Sequence, residues 1–388
     1  MTYALSDDQL AVQDLIRKVA REKVAPRADA IDRTAEYPQD MFDMLKDLGL
    51  FALPFAAEYG GTGDMLSACI AVEEFGRVCY NTGYLLVVQW VAFGALLAAG
   101  NDEQKARFLP GLAGGRLRGA FSTTEAHSGS DVSGIKTRAV PIPGGYQMNG
   151  AKIWCTNSDV ADFVLVAAKI PNAAGGDSIN LFIVERGTKG FSVGRKEEKM
   201  GARGVPSCPL FFDDVFIPTA NRMGPEGGAG FKLVMEAFNT SRPIVAARAV
   251  GIAQGAIDHS IAFIQGRKAF GQPITDFQGL RWMIADMMIQ TEAARQLTYK
   301  AASMVNDGVT GQEMARFAAM AKCFASDTAM KVATDAVQLF GAAGVSAEYP
   351  IARYFRDAKV VQIIEGTNQI QRNIIANSLL GRASKRAN

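Results

Sequence analysis

The sequence contains few of the residues that build metal centres. Its 388 residues include two histidines, His127 and His259, and five cysteines that are far apart and form no C-x-x-C pair. This distribution has no zinc-type ligand spacing, and no metal site is predicted. Scattered cysteines in an odd number are typical of free thiols in a reducing compartment and not of a disulfide framework.

The chain also lacks an excess of either charge. Its 41 basic and 39 acidic residues give a formal net charge of +2. That balance provides no overall field for gathering nucleic acid or an anionic membrane, and we expect neither as a partner. A few local residues must therefore hold any anionic ligand.

Two stretches bear on the expected location. The first ten residues, M-T-Y-A-L-S-D-D-Q-L, contain no apolar run typical of a secretory signal. The apolar run 84–99 is shorter than the roughly 20 residues of a membrane span and includes Gln89 and Gly94. It predicts a buried helix, and we expect a cytoplasmic protein, or one from an organelle matrix that has lost its presequence.

Several familiar functional motifs are missing as well. The sequence has no G-x-G-x-x-G after a predicted strand and no G-x-x-x-x-G-K-[ST], so neither a dinucleotide-binding fold nor a P-loop is indicated. His127 stands near Ser128 and Ser130, but no G-x-S-x-G elbow accompanies it. A loop histidine with structural or solvent contacts is the better interpretation.

The apolar patterns predict an α+β chain of three domains: a helical domain over 1–118, an antiparallel β domain over 119–222 and a four-helix bundle over 223–388. The first begins with a capping-box pair, Ser6 and Gln9. The middle has short runs rich in β-branched and aromatic residues, which indicates a small sandwich or barrel. The predicted bundle helices are the long Ala- and Met-rich segments 230–266, 276–306, 311–341 and 368–380.

Two stretches in the β region combine polar and aromatic residues in ways that a core does not require. Residues 121–132, F-S-T-T-E-A-H-S-G-S-D-V, can hold a polar ring or a phosphate, although an ordinary Ser/Thr-rich strand and turn is the simpler interpretation. K-I-W-C-T-N places Trp154 and Thr156 on one face of a strand. That pair suits either a planar cofactor or the sandwich core.

A third stretch joins two predicted helices. G-R-K-A-F-G-Q-P-I-T-D-F-Q offers the cation of Arg267, the ring of Phe270 and the amide of Gln278. These groups suit a nucleotide diphosphate. A solvated turn explains the cations equally well but explains the phenylalanines poorly.

The stretch Q-I-I-E-G-T-N-Q places Glu365 after two isoleucines and directly before a glycine. From composition alone, a solvated helix-end charge is the simpler interpretation. The alternative is a base in apolar surroundings, where desolvation raises the pKa of a carboxylate and so makes it more basic.

Taken together and in order, these stretches resemble the acyl-CoA dehydrogenase family of flavoproteins over nearly the whole chain. T-E-A-H-S-G-S-D is similar to the family's T-E-P-x-A-G-S-D loop, K-I-W-C-T-N to its W-I-T-N strand, and R-K-A-F-G-Q-P-I to its R-x-x-F-G-x-x-[IL]. Q-L-F-G is similar to its Q-[IL]-x-G-G turn, and I-E-G-T to its Y-E-G-T. One such match is weak, whereas five in the same order are specific.

The resemblance implies a three-domain fold, usually assembled as a homotetramer with FAD bound between subunits. It assigns to the flavin ring Phe121, Thr123, Thr124, Ser130, Trp154 and Thr156, with Thr367 and Gln369 farther along the cofactor. It assigns to the diphosphate and adenosine end, across the subunit boundary, Arg267, Phe270, Gln278 and the turn Gln338, Leu339, Phe340 and Gly341.

The resemblance also implies dehydrogenation of an acyl-CoA to the 2-enoyl-CoA, with electrons passed to an electron-transfer flavoprotein. Glu365 would remove the α-proton, and FAD would accept the β-hydride at N5. The thioester oxygen would accept hydrogen bonds from the backbone N–H of Glu365 and from a flavin ribityl hydroxyl. Some members carry the base at the position that Ser241 occupies here, and a serine cannot take that role. The implied substrate contacts are Ser130, Phe238, Asn239, Arg242 and Gly366.

Several positions depart from the family pattern. Ala126 replaces a proline and precedes His127, Ala342 replaces a glycine, Ile364 replaces a common tyrosine, and Asn239 stands where aspartate is frequent. The flavin environment and the shape of the pocket are therefore expected to differ from those of straight-chain enzymes.

Other functions stay open at this point. A flavin oxidase or oxygenase can use the same scaffold, although such relatives often lack the glutamate. A dehydrogenase of carrier-protein thioesters is a second alternative, and a scaffold protein with a vestigial flavin fold is a third, which the intact cofactor stretches argue against. Trp90 lies where the family's acyl pocket is often lined, and a bulky residue there predicts short, branched or cyclic acyl groups.

Overall fold

Six α-helices form the first third of the chain in the computed structural model, which describes residues 4–171, 176–225 and 229–381. The predicted capping box starts the first helix, because the Ser6 hydroxyl accepts from the Gln9 N–H and the Gln9 side chain accepts from the Ser6 N–H. The helices are α1 (Asp7–Val19), α2 (Ala28–Thr34), α3 (Gln39–Asp47), α4 (Met65–Val78), α5 (Tyr80–Ala99) and α6 (Asp102–Ala113).

The middle of the chain forms one eight-stranded sheet. Its strands are β1 (Gly119–Ser122), β2 (Arg138–Ile142), β3 (Gly145–Thr156), β4 (Phe163–Pro171), β5 (Asp177–Glu185), β6 (Phe191–Val193), β7 (Ser207–Pro218) and β8 (Arg222–Met223). They lie in the order β6-β7-β3-β2-β4-β5-β8, with β1 also paired to β4. Most pairs are antiparallel, as predicted, but β1 and β2 each pair with β4 in parallel, which the sequence did not indicate.

Long helices follow the sheet and form the second helical region. They are α7 (Ala229–Gly266), α8 (Gln278–Asn306), α9 (Gly311–Phe340), α10 (Ile351–Ile363) and α11 (Asn368–Leu380). A short hairpin of β9 (Lys268–Ala269) and β10 (Gln272–Pro273) joins α7 to α8. The four predicted bundle helices are confirmed, whereas α10 is an additional helix that was not predicted.

The two helical regions share one apolar core, and α5 contributes both to it and to a second buried cluster with the sheet. Side chains of α4, α5, α7, α9 and α10 belong to one buried cluster, while Phe93 and Leu96 of α5 pack with Phe163 and Leu165 of the sheet. By length and composition α5 is a candidate membrane span, but 72% of its most apolar window is buried inside the fold. The predicted buried helix is therefore confirmed for this run.

The close crossing of α4 and α7 positions the helix that carries much of the site. A Cβ added to Gly251 of α7 would lie 2.3 Å from the Glu73 carbonyl oxygen of α4. Only glycine permits that approach. This part of α7, which includes Arg248 one turn earlier, is therefore held tightly against the first helical region.

Candidate active site

Glu365 lies in the connection 364–367 between α10 and α11. Its backbone has a φ of +54°, in the left-handed region that non-glycine residues rarely adopt. Gly366 follows with a φ of +88°. A Cβ added to Gly366 would lie 2.7 Å from Gln371 Nε2. Thr367 caps α11 by accepting from the Ile370 N–H at 3.3 Å. Strain of this kind is maintained by surrounding contacts and is concentrated at functional sites.

Buried side chains of α9 and α11 hold this connection by hydrogen bonds. Lys322 of α9 donates to the Gly366 carbonyl oxygen and to Asn368 Oδ1, each at 2.9 Å. Gln371 Nε2 donates to the Gly366 carbonyl at 3.0 Å and to the Glu365 carbonyl at 3.4 Å. Burial lowers the pKa of Lys322 to about 8, although the Glu365 charge opposes this. The backbone that carries the Glu365 carboxylate is thus fixed by donors inside the fold.

Protein surrounds the Glu365 carboxylate, and three cations face it. Desolvation raises the pKa of Glu365 above its ordinary value, while the charges of Arg248, Lys322 and Arg242 oppose that rise. The side chain retains 26% exposure, so it is accessible from outside the core. A carboxylate that is desolvated and still accessible is suited to accept a proton from a ligand.

Two tyrosines of α5 face Arg248 of α7. The guanidinium carbon lies 4.0 Å from the ring centroid of Tyr84 and 4.8 Å from that of Tyr80. Arg248 Nη2 is 3.6 Å from Glu365 Oε1. On the other side, the Tyr84 hydroxyl is 3.5 Å from Thr156 Oγ1. These contacts connect Thr156 of β3 with the carboxylate.

The predicted substrate residues on α7 lie together. Arg242 Nη1 donates to Asn239 Oδ1, while Arg242 Nε has no acceptor among the described residues. Burial lowers the pKa of Arg242, and the charge of Glu365 opposes that effect. Phe238 meets Phe121 of β1 edge to face, with 4.9 Å between ring centroids. This contact brings α7 against the strand that starts the predicted flavin loop.

An apolar cavity of about 280 Å³ lies between α5 and α7. Trp90 forms part of its wall and is fixed there, because its indole N–H donates to the Phe51 carbonyl at 2.9 Å. A Cβ added to Gly94 would meet nothing within 4 Å. The cavity therefore offers unfilled volume to an apolar chain, and its lining includes Trp90, Gly94, Leu97, Phe238, Ser241 and Ile244.

A buried ion pair attaches the predicted flavin loop to β3. Lys152 Nζ lies 2.7 Å from Glu125 Oε1, and both side chains are almost inaccessible. Lys152 also donates to the Thr123 carbonyl at 3.1 Å. Burial favours the neutral acid, but hydrogen bonds from Lys152, Thr137 and the Lys136 N–H lower the pKa of Glu125 to about 2. Contacts within the protein therefore fix the backbone of this loop without a ligand.

The other predicted residues of the loop differ in exposure. Thr124 is partly buried, whereas Ser130 is exposed. His127 Nε2 lies 3.2 Å from the Gly134 carbonyl oxygen. The histidine therefore makes the structural contact that the sequence interpretation favoured.

Trp154 stands at a bulge in β3. Its φ is +59°, and the pairing of β3 with β7 shifts register between Lys152 and Cys155. The predicted shared face of Trp154 and Thr156 depends on side chains that alternate between the two faces of a strand. The bulge interrupts that alternation at Trp154. Cys155 is buried between them, while Trp154 is 51% exposed and Thr156 partly so. No aromatic ring packs against the indole among the described residues, which leaves a planar surface for a ligand.

The residues predicted for the far end of the cofactor lie on the outer surface. Phe270 is 94% exposed at the tip of the β9–β10 hairpin, with a φ of +52°. Arg267 and Gln278, which flank the hairpin, are also exposed. These three side chains are free to meet a ligand or another subunit.

Only part of the turn after α9 is exposed and can contact a ligand. Leu339 and Phe340 are buried, and Phe340 stacks on Phe263 at 4.1 Å between centroids. Gln338 and Gly341 are exposed, and Gly341 has a φ of +60°. A ligand at this turn would contact the backbone and Gln338, because the side chains of Leu339 and Phe340 are buried in the core.

The structure thus forms one connected site from Glu365, Gly366, Thr367, Phe238, Arg242, Phe121 and Thr156. Gln369 lies on the exposed side of α11. Sequence reasoning did not identify Tyr80, Tyr84, Arg248 or Lys322. The available signal was a single charge within an apolar helical run, V-A-A-R-A-V for Arg248 and A-A-M-A-K-C-F-A for Lys322, since isolated charges in such runs are buried only where they have a partner.

Three models of the acyl-CoA dehydrogenase family match consecutive parts of the chain. The N-terminal domain matches residues 6–116, the middle domain 120–215 and the C-terminal domain 228–380. Together they cover most of the sequence.

Individual relatives match over nearly their whole length. An acyl-CoA dehydrogenase of Bacillus subtilis is 42% identical over 380 residues, which are 97% of this chain and 99% of the relative. The structure of butyryl-CoA dehydrogenase from Megasphaera elsdenii superposes with a TM-score of 0.93 at 39% identity, covering 98% of this chain and all of that one. A chain from a study of the electron transferring flavoprotein of Acidaminococcus fermentans has the same TM-score at 40% identity, with the same two coverages.

Proposed function

The chain belongs to the acyl-CoA dehydrogenase family, and from this premise we propose that it converts an acyl-CoA thioester to the 2-enoyl-CoA with Glu365 as the base. The observation that carries the proposal is the state of the Glu365 carboxylate. It is desolvated, accessible and held on a strained backbone that buried donors fix.

Removal of the α-proton requires a base much stronger than a solvated carboxylate, which titrates near 4. Desolvation supplies that basicity at Glu365, and the acyl chain would add to it by excluding water. Ser241, at the alternative base position, donates to the Phe238 carbonyl at 3.2 Å and has no proton-accepting role. Glu365 is therefore the base that the site supports.

The thioester oxygen needs donors when negative charge develops on it. The backbone N–H of Glu365 has no acceptor within the described part of the chain. It follows Ile364, whose own N–H is bonded to the Val360 carbonyl. This free N–H supports the proposal that the base's own amide holds the thioester oxygen.

The cofactor is FAD, and the residues present fit it. The half-exposed indole of Trp154 offers a flat surface, with Thr156 beside it. Thr123, Thr124 and the Phe121 ring line the approach from the loop, and Arg267, Phe270 and Gln278 are free at the far end. When bound, FAD would supply the acceptor for the β-hydride. The chain's own residues orient the acyl group, exclude water and take the α-proton.

The cavity between α5 and α7 is proposed as the acyl site. Its volume of about 280 Å³ and the fixed Trp90 ring favour short, branched or cyclic acyl groups over long straight ones. Fastest reaction with long straight-chain acyl-CoAs would contradict this part of the proposal.

An anaerobic titration tests the function. The purified holoprotein should carry flavin absorbance, and a suitable acyl-CoA such as butyryl-CoA should bleach it without oxygen. Absence of bleaching by every thioester, free or on a carrier protein, would refute the dehydrogenase. Rapid reoxidation by oxygen after bleaching would favour the oxidase, and bleaching only by carrier-protein thioesters would identify that substrate class.

Exposed apolar side chains on the hairpin and α8 support a proposal on assembly. Phe270 is 94% exposed, Ile289 67% and Trp282 61%, so the hairpin and α8 present apolar surface that a second subunit would cover. We expect a homotetramer in solution, measurable by light scattering. An electron-transfer flavoprotein is the proposed acceptor, because the chain resembles one from a study of such a protein. A cytoplasmic location is proposed with it.

A further inference from the structure

Arg248 is a charged residue in an otherwise apolar part of α7. Its neighbours Ala247 and Ala249 are buried, and Arg248 itself has no exposed surface. None of its three guanidinium nitrogens has a hydrogen-bond acceptor among the described residues. A cation buried in this way is costly unless an anion compensates it.

The surroundings of Arg248 offer one such anion. The rings of Tyr80 and Tyr84 flank the guanidinium and attract the cation through their faces, but the faces accept no ordinary hydrogen bond. Among the described residues, the only carboxylate within 4 Å of the guanidinium is that of Glu365, at 3.6 Å between Nη2 and Oε1. The two groups are close enough for strong attraction and slightly too far apart for a hydrogen bond.

The other two cations that face Glu365 donate hydrogen bonds to other groups, although Arg242 Nε has no acceptor among the described residues. Lys322 of α9 donates to the Gly366 carbonyl and to Asn368 Oδ1. Arg242, on α7 with Arg248, donates to Asn239. Arg248 is the one of these three cations that donates no hydrogen bond to the described residues, and its charge opposes the rise in the pKa of Glu365 more than the charges of Lys322 and Arg242 do.

We propose that Arg248 is a positioning residue for the catalytic base: its guanidinium, held between Tyr80 and Tyr84, keeps the Glu365 carboxylate ionised and oriented in the dry site. This inference rests on the proposed role of Glu365. Without the cation, exclusion of water by the acyl group would favour the neutral acid, which cannot accept the α-proton. After the proton has moved from the α-carbon to Glu365, Arg248 loses its counter-charge, and this favours release of the proton.

The pH dependence of flavin bleaching tests this role. In Arg248→Met the acidic limb of the bleaching rate should move to higher pH, so that the rate falls about tenfold or more near pH 7 and recovers in alkali. Arg248→Lys keeps a charge and should retain most of the wild-type limb, with a lower maximum because the flat guanidinium is lost. Arg195→Gln removes an 85% exposed arginine of the β region and should leave the profile unchanged.

A second measurement does not depend on turnover. Thermal unfolding of Arg248→Met, Glu365→Gln and the double variant should be non-additive, with the double variant more stable than the sum of the single losses predicts. Additive losses together with an unshifted acidic limb would overturn the proposal. Retained bleaching in Glu365→Gln would instead refute the proposed role of Glu365 as the base, on which this inference rests, so the two failures are distinguishable.

Discussion

Lys322 Nζ donates to the carbonyl oxygen of Gly366 at 2.9 Å, from a position with no exposed surface. The contact joins the middle of α9 to the residue that follows the proposed base. Lys322 does not line the cavity; its charge opposes the rise in the pKa of Glu365, and its hydrogen bond to Gly366 holds the connection in which Glu365 has its left-handed backbone. The base is thus carried by a connection that the bundle fixes from inside.

Replacing Glu365 with glutamine should retain FAD and abolish useful turnover. The amide has the same shape but accepts no proton at neutral pH, and loss of a general base typically lowers rates by about 10²–10⁴-fold. Stopped-flow bleaching by butyryl-CoA measures the loss, and the visible spectrum checks the flavin. Glu198→Gln, at an 87% exposed position, is the matched control. A rate within twofold of wild type in Glu365→Gln would show that the base is another residue.

Replacing Gly366 with alanine should slow bleaching through the backbone. Gly366 has a φ of +88°, and the new Cβ would lie 2.7 Å from Gln371 Nε2, so the connection must shift. Gly308→Ala is the control, because Gly308 also has a positive φ, +71°, but open space around it. Both variants should lose about 1 kcal/mol of unfolding free energy. Only Gly366→Ala should lower the bleaching rate; equal rates in the two variants would contradict the role of the connection.

Much of the fold could be predicted from the sequence because its signals are local. Ser6 and Gln9 form a capping box from their spacing alone, and the four long bundle segments have few breakers. The helix α10 was missed because its start, Y-P-I-A-R-Y, follows a proline-containing turn and carries charged residues throughout. The parallel pairing of β1 with β4 depends on how distant segments meet, and no local pattern expresses that.

Only those site residues that belong to a recognisable sequence motif could be predicted from the sequence. Glu365 was predicted as the base from the resemblance of I-E-G-T to the family motif and from the two preceding isoleucines. Its desolvation and its positive φ depend on the tertiary structure. Arg248 was missed because its partners, Tyr84 and Glu365, lie on other helices or connections far away in sequence. The bulge at Trp154 likewise depends on the pairing of β3 with β7.

Asp357→Asn should change the pH dependence of stability. Burial raises the pKa of Asp357 to about 6, and the side chain is 2% exposed. A carboxyl group whose pKa is higher in the folded state than in the unfolded state, where it is near 3.8, lowers the free energy of unfolding as it ionises. This loss is absent below about pH 4 and complete above about pH 6. Relative to wild type, the asparagine variant should therefore gain on the order of 3 kcal/mol between pH 4 and pH 7. Denaturant unfolding at both pH values measures this, and an unchanged difference would show that Asp357 titrates normally.

Lys152→Met should detach the predicted flavin loop from β3. It leaves Glu125 buried without its cation, and breaking such a pair by removing one partner costs about 3–5 kcal/mol. We expect a lower melting temperature and loss of bound FAD on gel filtration. Glu125→Gln combined with Lys152→Met should recover part of the stability, since no unpaired charge remains. Arg195→Gln breaks an exposed pair and should leave the melting temperature unchanged.

Gly94→Leu should narrow the proposed acyl site without disturbing the fold. Gly94 lies within α5 and lines the cavity, and a Cβ there meets nothing within 4 Å, so the leucine side chain can occupy the cavity of about 280 Å³. Replacing an internal helical glycine also favours the helix by up to about 1 kcal/mol, so the melting temperature should hold or rise. The bleaching rate with hexanoyl-CoA should fall much more than that with butyryl-CoA, because only the longer chain needs the filled volume. Equal losses for both substrates, or none for either, would place the acyl chain outside this cavity.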